Sequence, residues 1–211
     1  MTDTASNYSL YGLPEKIEHC NSCLMHNQKP FSVNETKNFA GSKKAGMPIL
    51  EDGECAACHY AKTKETQIDW EDREKRLLRM LEGYRRTDGQ YDCIVSGSGG
   101  KDSMVVAHLL KYKYDMNPLT ITYSPILYSD IGWRNLQNWI SKGGFDNYLF
   151  SPNGEVSGVL AREAFLNLYH PMQPFKFGIK SYAAKMATRF GINLVMYGES
   201  YVEYGSDDSD T

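Results

Sequence analysis

The stretch from Tyr91 to Ser103 most constrains the fold, because an apolar strand pattern runs through a glycine-rich loop into a helix pattern. Residues 91–95 are short and β-rich, and residues 103–114 carry apolar side chains at helical spacing. Three loop glycines let the backbone turn tightly and approach an anion closely. The helix directs its first N–H groups, and the positive end of its dipole, at the same point. The stretch therefore predicts a phosphate-binding loop in an α/β domain.

The alternation of strand and helix patterns continues through the rest of the chain. Strand patterns occur at 119–123, 147–150 and 192–197, and helix patterns at 131–141, 155–168 and 179–190. Strands separated by helices of this length pair in parallel through right-handed crossovers, with helices on both faces. We therefore expect a mostly parallel, doubly wound sheet with ligands at the carboxyl ends of its strands.

Residues 98–103, Ser-Gly-Gly-Lys-Asp-Ser, form the core of the candidate phosphate loop. A Walker loop needs a Gly separated by four residues from its Gly-Lys pair, and Ser or Thr directly after the Lys. Val95 and Asp102 occupy those two positions, so this loop belongs to another class. Lys101 supplies a positive charge, while Ser98 and Ser103 supply hydroxyl donors.

Four of the five cysteines form two Cys-x-x-Cys pairs, Cys20/Cys23 and Cys55/Cys58. The segment that contains them is rich in Asn, Lys, Gly and Pro, and it has too few large apolar residues to fold by burial alone. Four thiolates match the tetrahedral preference of Zn²⁺, which predicts a structural zinc in a small zinc-ribbon-like segment. An iron–sulfur cluster, a redox dithiol and isolated cysteines are the alternatives. Cys93, alone on a strand, is predicted to be a buried apolar residue.

The sequence divides into five expected segments. They are an arm at 1–19, the four-cysteine segment at 20–66, a linking helix at 67–88, a nucleotide-binding domain at 89–205 and an acidic tail at 206–211. An amphipathic pattern at 70–81 carries the linking helix.

The formal net charge is -3 and the isoelectric point about 6.0, which disfavours general attraction to nucleic acid phosphates. Residues 1–10 are polar and show no targeting pattern, and no run of about 18 apolar residues is present. We therefore expect a cytoplasmic protein without a membrane span or a nucleic acid partner.

The sequence Ser98-Gly99-Gly100-Lys101-Asp102-Ser103 resembles the Ser-Gly-Gly-x-Asp-Ser signature of the PP-loop ATP pyrophosphatases. The resemblance implies an adenine nucleotide α-hydrolase-like fold, cleavage of ATP between its α and β phosphates, and a Mg²⁺ ion beside the departing pyrophosphate. Lys101 and Asp102 are the expected catalytic residues. The expected nucleotide-binding residues are Gly97, Ser98, Gly99, Gly100, Lys101, Asp102, Ser103, Thr122, Gly198 and Glu199.

Beyond this loop, the chain is similar to the N-acetyl sugar amidotransferases of surface-polysaccharide biosynthesis, including lipopolysaccharide. The likeness spans 20–205 and includes the paired cysteines and the segments 68–71, 111–114, 116–120, 143–147, 197–199 and 203–205. It implies that ATP adenylates the acetamido group of an N-acetylated sugar and that ammonia then replaces the oxygen, which gives an acetamidino sugar. Thr2 stands where an N-terminal nucleophilic Cys would be needed, so a separate glutaminase is the expected ammonia source.

Two other functions fit parts of the pattern. A PP-loop enzyme that thiolates tRNA also combines zinc cysteines with this loop, but it needs a sulfur-carrying group and a basic surface. The other is a truncated, non-catalytic module that binds zinc and nucleotide, an alternative suggested by the greater length of the amidotransferase family members.

Overall fold

The computed structural model describes residues 11–30, 39 and 41–199. Residues 1–10 of the expected arm, residues 203–205 of the family likeness and the expected acidic tail at 206–211 lie outside this part. The described residues divide into two compact units, one ending at Glu71 and the other spanning Asp72–Glu199.

The first unit contains two short hairpins and a helix. Isolated antiparallel bridges pair His19 with His26 and Ile49 with Cys55. The helix α1, Ala56–Thr66, follows the second hairpin and was not expected from the sequence. Its sequence has no apolar stripe, and accordingly none of its residues is buried.

The remaining elements belong to the second unit, apart from the first two residues of α2. They are α2 Trp70–Glu82, β1 Cys93–Ser96, α3 Lys101–His108, β2 Pro118–Tyr123, α4 Asp130–Ser141, β3 Asn147–Phe150, α5 Gly154–Leu168, α6 Gln173–Phe190 and β4 Val195–Tyr197. The helical path of α3 continues as a π-helical turn at Leu109–Lys113.

The strands form one parallel sheet in the order β3-β2-β1-β4, which confirms the predicted parallel α/β architecture. From β1 the chain proceeds to β2 and β3 on one side, and β4 then pairs with the other side of β1. The strand order therefore reverses between β1 and β4. In open parallel sheets, ligands bind beyond the carboxyl ends of the strands at such a reversal.

Helices pack on both faces of this sheet. Alternating side chains of β1 separate two cores, because Cys93 and Val95 lie on one face and Ile94 lies on the other. The first core adds residues of α2, α3 and α4 with their flanking loops: Leu81, Ala107, Leu110, Met116, Leu136, Trp139, Phe145 and, before β4, Leu194. The second adds residues of β2, α6 and the following turn: Leu119, Ile121, Ala183, Met186, Ala187 and Ile192.

Several element boundaries differ from the sequence prediction, the starts of α6 and β4 among them. The helix α6 begins at Gln173, six residues before the predicted start at Ile179. Pro174 lies in its first turn, where the fixed φ of proline suits a helix and the missing N–H leaves no intrahelical bond unmade. The strand β4 covers only Val195–Tyr197 of the predicted 192–197, and Ile192 and Leu194 pack into the two cores just before it.

No helix in the described part of the chain is both long and apolar enough to cross a bilayer.

Candidate functional site

The predicted phosphate loop lies at the reversal of strand order. Ser96 ends β1 and is paired with Tyr197 at the end of β4, so the loop after β1 lies beside Gly198 and Glu199. A cavity of about 120 Å³ opens there. It is lined by Ser96, Gly97, Ser98, Gly100, Asp102, Ser103, Tyr123, Ile179, Tyr197, Gly198 and Glu199.

The loop presents consecutive backbone donors that have no partner among the described residues. The Gly97 N–H donates to the carbonyl of Ile121 at 3.0 Å, whereas the N–H groups of Ser98, Gly99 and Gly100 donate to no described residue. Gly99 has φ of +81°, a conformation that places successive N–H groups around a concavity suited to an anion. The helix α3 begins directly afterwards, and Gly100 provides no side-chain cap. The loop can therefore bind phosphate oxygens.

The loop and the end of β4 are in backbone contact. A Cβ on Gly198 would lie 2.5 Å from the carbonyl carbon of Asp102, and a Cβ on Gly97 would lie 2.3 Å from the Cβ of Ser103. Neither position has room for any side chain. The two glycines therefore bring the carboxylate of Glu199 and the first turn of α3 to the same cavity.

The charged side chains of the site come from both sides of this contact. The Lys101 ammonium lies 2.8 Å from the Asp102 carboxylate, and the Lys101 side chain is 86% exposed. Asp102 and Glu199 line the cavity, and carboxylate oxygens are the ligands that Mg²⁺ prefers. The Ser103 hydroxyl donates to the carbonyl of Gly100 at 3.1 Å, which closes the turn.

The structure brings together most of the predicted nucleotide-binding residues, with three placed differently. Within the loop, Gly99 is buried against α4 and does not line the cavity. Lys101 lies beside the cavity without lining it. Thr122 is fully buried, and its hydroxyl accepts a hydrogen bond from the Asn147 amide at 3.0 Å. Its neighbour Tyr123 points to the opposite face of the sheet and lines the cavity.

Four residues that line the cavity were not among the predicted nucleotide-binding residues: Ser96, Tyr123, Ile179 and Tyr197. A signal exists for Ser96 and Tyr197, because each immediately precedes a site glycine at the end of a predicted strand. No local pattern identifies Ile179, which reaches the cavity from the first half of α6.

The four paired cysteines form a compact cluster in the first unit. The Sγ atoms of Cys20, Cys23, Cys55 and Cys58 all lie within 4.8 Å of one another. The Cys20–Cys58 distance is 3.8 Å and the Cys23–Cys55 distance is 3.7 Å. Zn–S bonds of about 2.3 Å in a tetrahedron require S–S separations of about 3.8 Å. The cluster can therefore hold a metal ion such as zinc.

The surroundings of Cys20 favour its thiolate form, which a metal requires. Burial alone raises the pKa of Cys20, but backbone N–H donors of Cys55, Cys23 and Ser22 lower it to about 6. The Cys55 and Ser22 donors lie 3.2 and 3.4 Å from the sulfur. Hydrogen bonding to Cys23, and then burial, raises the pKa of Cys58.

Cys93 is buried in the sheet, as predicted. Its side chain is fully enclosed in the first core, and burial raises the pKa of its thiol to about 12. A thiol in that state is not nucleophilic at neutral pH.

No protein-family model matches the chain. A stretch of 53 residues, 25% of this chain, is 38% identical to an uncharacterized protein of Methanocaldococcus jannaschii. The match covers 19% of the length of that protein, which is well under two thirds.

Proposed function

We propose that the chain is an ATP-dependent amidotransferase that forms AMP and pyrophosphate. Its substrate is an N-acetylated sugar, whose acetamido group becomes an acetamidino group. The observation that supports ATP use most directly is the run of three N–H groups at Ser98, Gly99 and Gly100 that donate to none of the described residues. They lie at the reversal of strand order and the start of α3, beside two carboxylates. The choice of sugar amide as substrate rests on the family likeness described above.

The proposed reaction has two balanced steps. The acetamido oxygen attacks the α-phosphorus of ATP, and pyrophosphate leaves with the electrons of the broken P–O bond. Ammonia then adds to the activated carbon, and AMP departs with the original amide oxygen. The carbon of an amide is a poor electrophile while its oxygen is a poor leaving group. Adenylation turns that oxygen into a good leaving group, so ammonia can form the new C–N bond.

Each part of the site has a role in this proposal. The loop N–H groups bind the departing pyrophosphate and stabilise the charge that develops on it. Asp102 and Glu199 bind Mg²⁺, and Lys101 adds a positive charge beside the phosphates. The cysteine cluster holds a structural zinc, because four protein ligands leave no open coordination position. A separate glutaminase supplies the ammonia.

The reaction is tested by mixing the protein with ATP, Mg²⁺, ammonium and a series of N-acetylated nucleotide sugars, and measuring AMP and pyrophosphate. We expect both products to appear with at least one sugar and to depend on its acetamido group, so the deacetylated sugar serves as the control. Absence of AMP with every sugar, in a preparation that binds ATP, would contradict the proposal.

The first predicted variant is Lys101→Ala, which should lower the rate of pyrophosphate release by about 100-fold or more. The side chain is largely exposed, so its loss should leave the unfolding midpoint unchanged. Lys185→Ala, which removes an exposed lysine on α6, is the matched control and should turn over normally. Normal pyrophosphate release by Lys101→Ala would remove this lysine from the mechanism.

A further inference from the structure

A second cavity of about 310 Å³ opens at the same edge of the sheet, beyond β2 and β3. Like the first, it lies wholly within the Asp72–Glu199 unit. It is lined by Ser124, Pro125, Ile126, Tyr128, Trp133, Leu149, Ser151, Pro152, Gly154 and Ser157. These residues come from the ends of β2 and β3, from the start of α4 and from the first turn of α5.

The lining combines aromatic rings with hydroxyl groups. Tyr128 and Trp133 pack edge to face with ring centroids 5.3 Å apart, and Trp133 remains 45% exposed. The Tyr128 hydroxyl is buried and has no hydrogen-bond partner in the described part of the chain. Ser124, Ser151 and Ser157 add further hydroxyls.

The second cavity differs from the first in the charge of the residues that line it. Among the described residues, those that line it include no Asp, Glu, Lys, Arg or His. It therefore suits a neutral ligand, because a phosphate would find no cation there to compensate its charge. Aromatic faces with several hydroxyls fit a sugar ring, whose C–H groups pack on the rings while its hydroxyls and amide form hydrogen bonds.

The second cavity is adjacent to the phosphate loop. A Cβ on Gly99 would lie 2.8 Å from the Cα of Leu136 and 3.1 Å from the carbonyl carbon of Asn135, so the loop rests on α4. Trp133 lies only two residues before Asn135 on that helix. The strand β2 is also hydrogen-bonded to β1, and neighbouring strands are about 4.8 Å apart. A group bound in the second cavity is thus close to the phosphates held by the loop.

From this arrangement we propose that the second cavity binds the sugar ring of the acceptor, with its acetamido group directed at the phosphate loop. The inference rests on the proposed function for the identity of the reacting group. It assigns the sugar to the neutral cavity at β2 and β3, and the triphosphate to the loop at β1 and β4.

The test blocks the cavity and measures binding of each ligand without turnover. Ser157→Phe places a large side chain in the cavity from α5, and Val159→Phe is the matched control on the same helix, where Val159 is 61% exposed. Trp133→Ala is a second variant that removes the exposed ring. The probes are free N-acetylglucosamine, a set of nucleotide-linked N-acetylhexosamines, and ATP with Mg²⁺, with affinities measured by calorimetry and saturation-transfer NMR.

We expect Ser157→Phe and Trp133→Ala to weaken sugar binding at least tenfold while ATP affinity stays within twofold of wild type. Val159→Phe should bind both ligands normally, and melting temperatures will show that all variants fold. The inference is overturned if no sugar probe binds the wild-type protein, or if Ser157→Phe and Trp133→Ala bind sugar normally. It is also overturned if these variants lose ATP affinity, because the cavity would then hold the adenine.

Turnover separates this inference from the proposed function. If the variants lose sugar binding but the wild-type protein never forms AMP, the sugar site stands and the amidotransferase reaction fails. If the wild-type protein forms AMP and Ser157→Phe does so with an unchanged KM for sugar, the reaction stands and the site assignment fails.

Discussion

Gly198 connects the end of β4 with the start of α3 through backbone contact alone. A Cβ at this position would lie 2.5 Å from the carbonyl carbon of Asp102 and 2.7 Å from the nitrogen of Ser103. Backbone atoms cannot rotate away as a flexible side chain can, so the first turn of the helix would have to shift. That turn borders the first cavity, so stability and the proposed ATP binding would depend on the same contact.

We predict that Gly198→Ala lowers the free energy of unfolding by about 1–3 kcal/mol, the usual cost of overpacking, and weakens ATP binding. Urea denaturation and calorimetric titration with ATP measure the two effects. Gly158→Ala is the control, because Gly158 lies within α5 and a Cβ there meets nothing within 4 Å. That variant should gain about 0.5–1 kcal/mol. Equal stability changes in the two variants would show that the predicted clash is absent.

Among the elements, those with a strong local pattern were predicted most closely. The observed strand β3 has the predicted bounds, and α2 extends one residue past the predicted pattern. The helix α1 escaped prediction because it buries none of its residues and so has no apolar periodicity. The early start of α6 depends on the packing of its first turns, for example where Gly178 leaves room for the Tyr123 ring. A short stretch of sequence around Gly178 contains no sign of this contact.

The residues of the candidate site also differ in how well the sequence predicts them. The loop at 97–103 could be predicted because one continuous stretch encodes the strand end, the turn and the helix start. Thr122 illustrates the limit, since position at a strand end does not determine which face a side chain takes. Its hydroxyl is used by Asn147 of the neighbouring strand, and Tyr123 faces the cavity instead. Ile179 reaches the site only through the packing of α6 on the sheet.

A carboxylate beside the cysteine cluster bonds to residues of both other parts of the first unit. Glu54, which precedes Cys55, accepts a hydrogen bond from the Ser22 hydroxyl at 2.5 Å. It also forms an ion pair with Lys62 of α1 at 2.6 Å. The Lys62 hydrogen bond, followed by that of Ser22, lowers the pKa of Glu54. The carboxylate therefore joins the first hairpin, the second hairpin and α1 around the proposed metal.

We predict that Glu54→Gln weakens zinc binding about tenfold, because partners outside the ligand set orient the ligands. Competition with a chromophoric zinc chelator measures the affinity, and the wild-type protein should release one zinc per chain. Glu51→Gln, three residues earlier and exposed, should retain wild-type affinity. If Glu54→Gln and Glu51→Gln lose zinc equally, the carboxylate has no special place in holding the cluster.

At the scale of the whole molecule, the two compact units differ in how they are stabilised. The only buried apolar cluster of the first unit within the described residues consists of Cys20, Met47 and Cys55, so the proposed zinc would supply much of its stability. The second unit has two separate cores, one on each face of its sheet. Hydrophobic burial therefore supports the proposed ATP site.

The overall charge and the state of the cysteines distinguish the proposed reaction from tRNA thiolation. The chain has 23 basic and 26 acidic residues, so its net charge of -3 repels a polyanion. Thiolation also needs a reactive sulfur near the loop, but Cys93, on the strand before the loop, is fully buried with its pKa raised to about 12. We predict that tRNA is not retained at about 0.15 M salt in a filter-binding assay. ATP binding by the same preparation is the control, and salt-resistant retention of tRNA would make a nucleic acid substrate the better interpretation of this site.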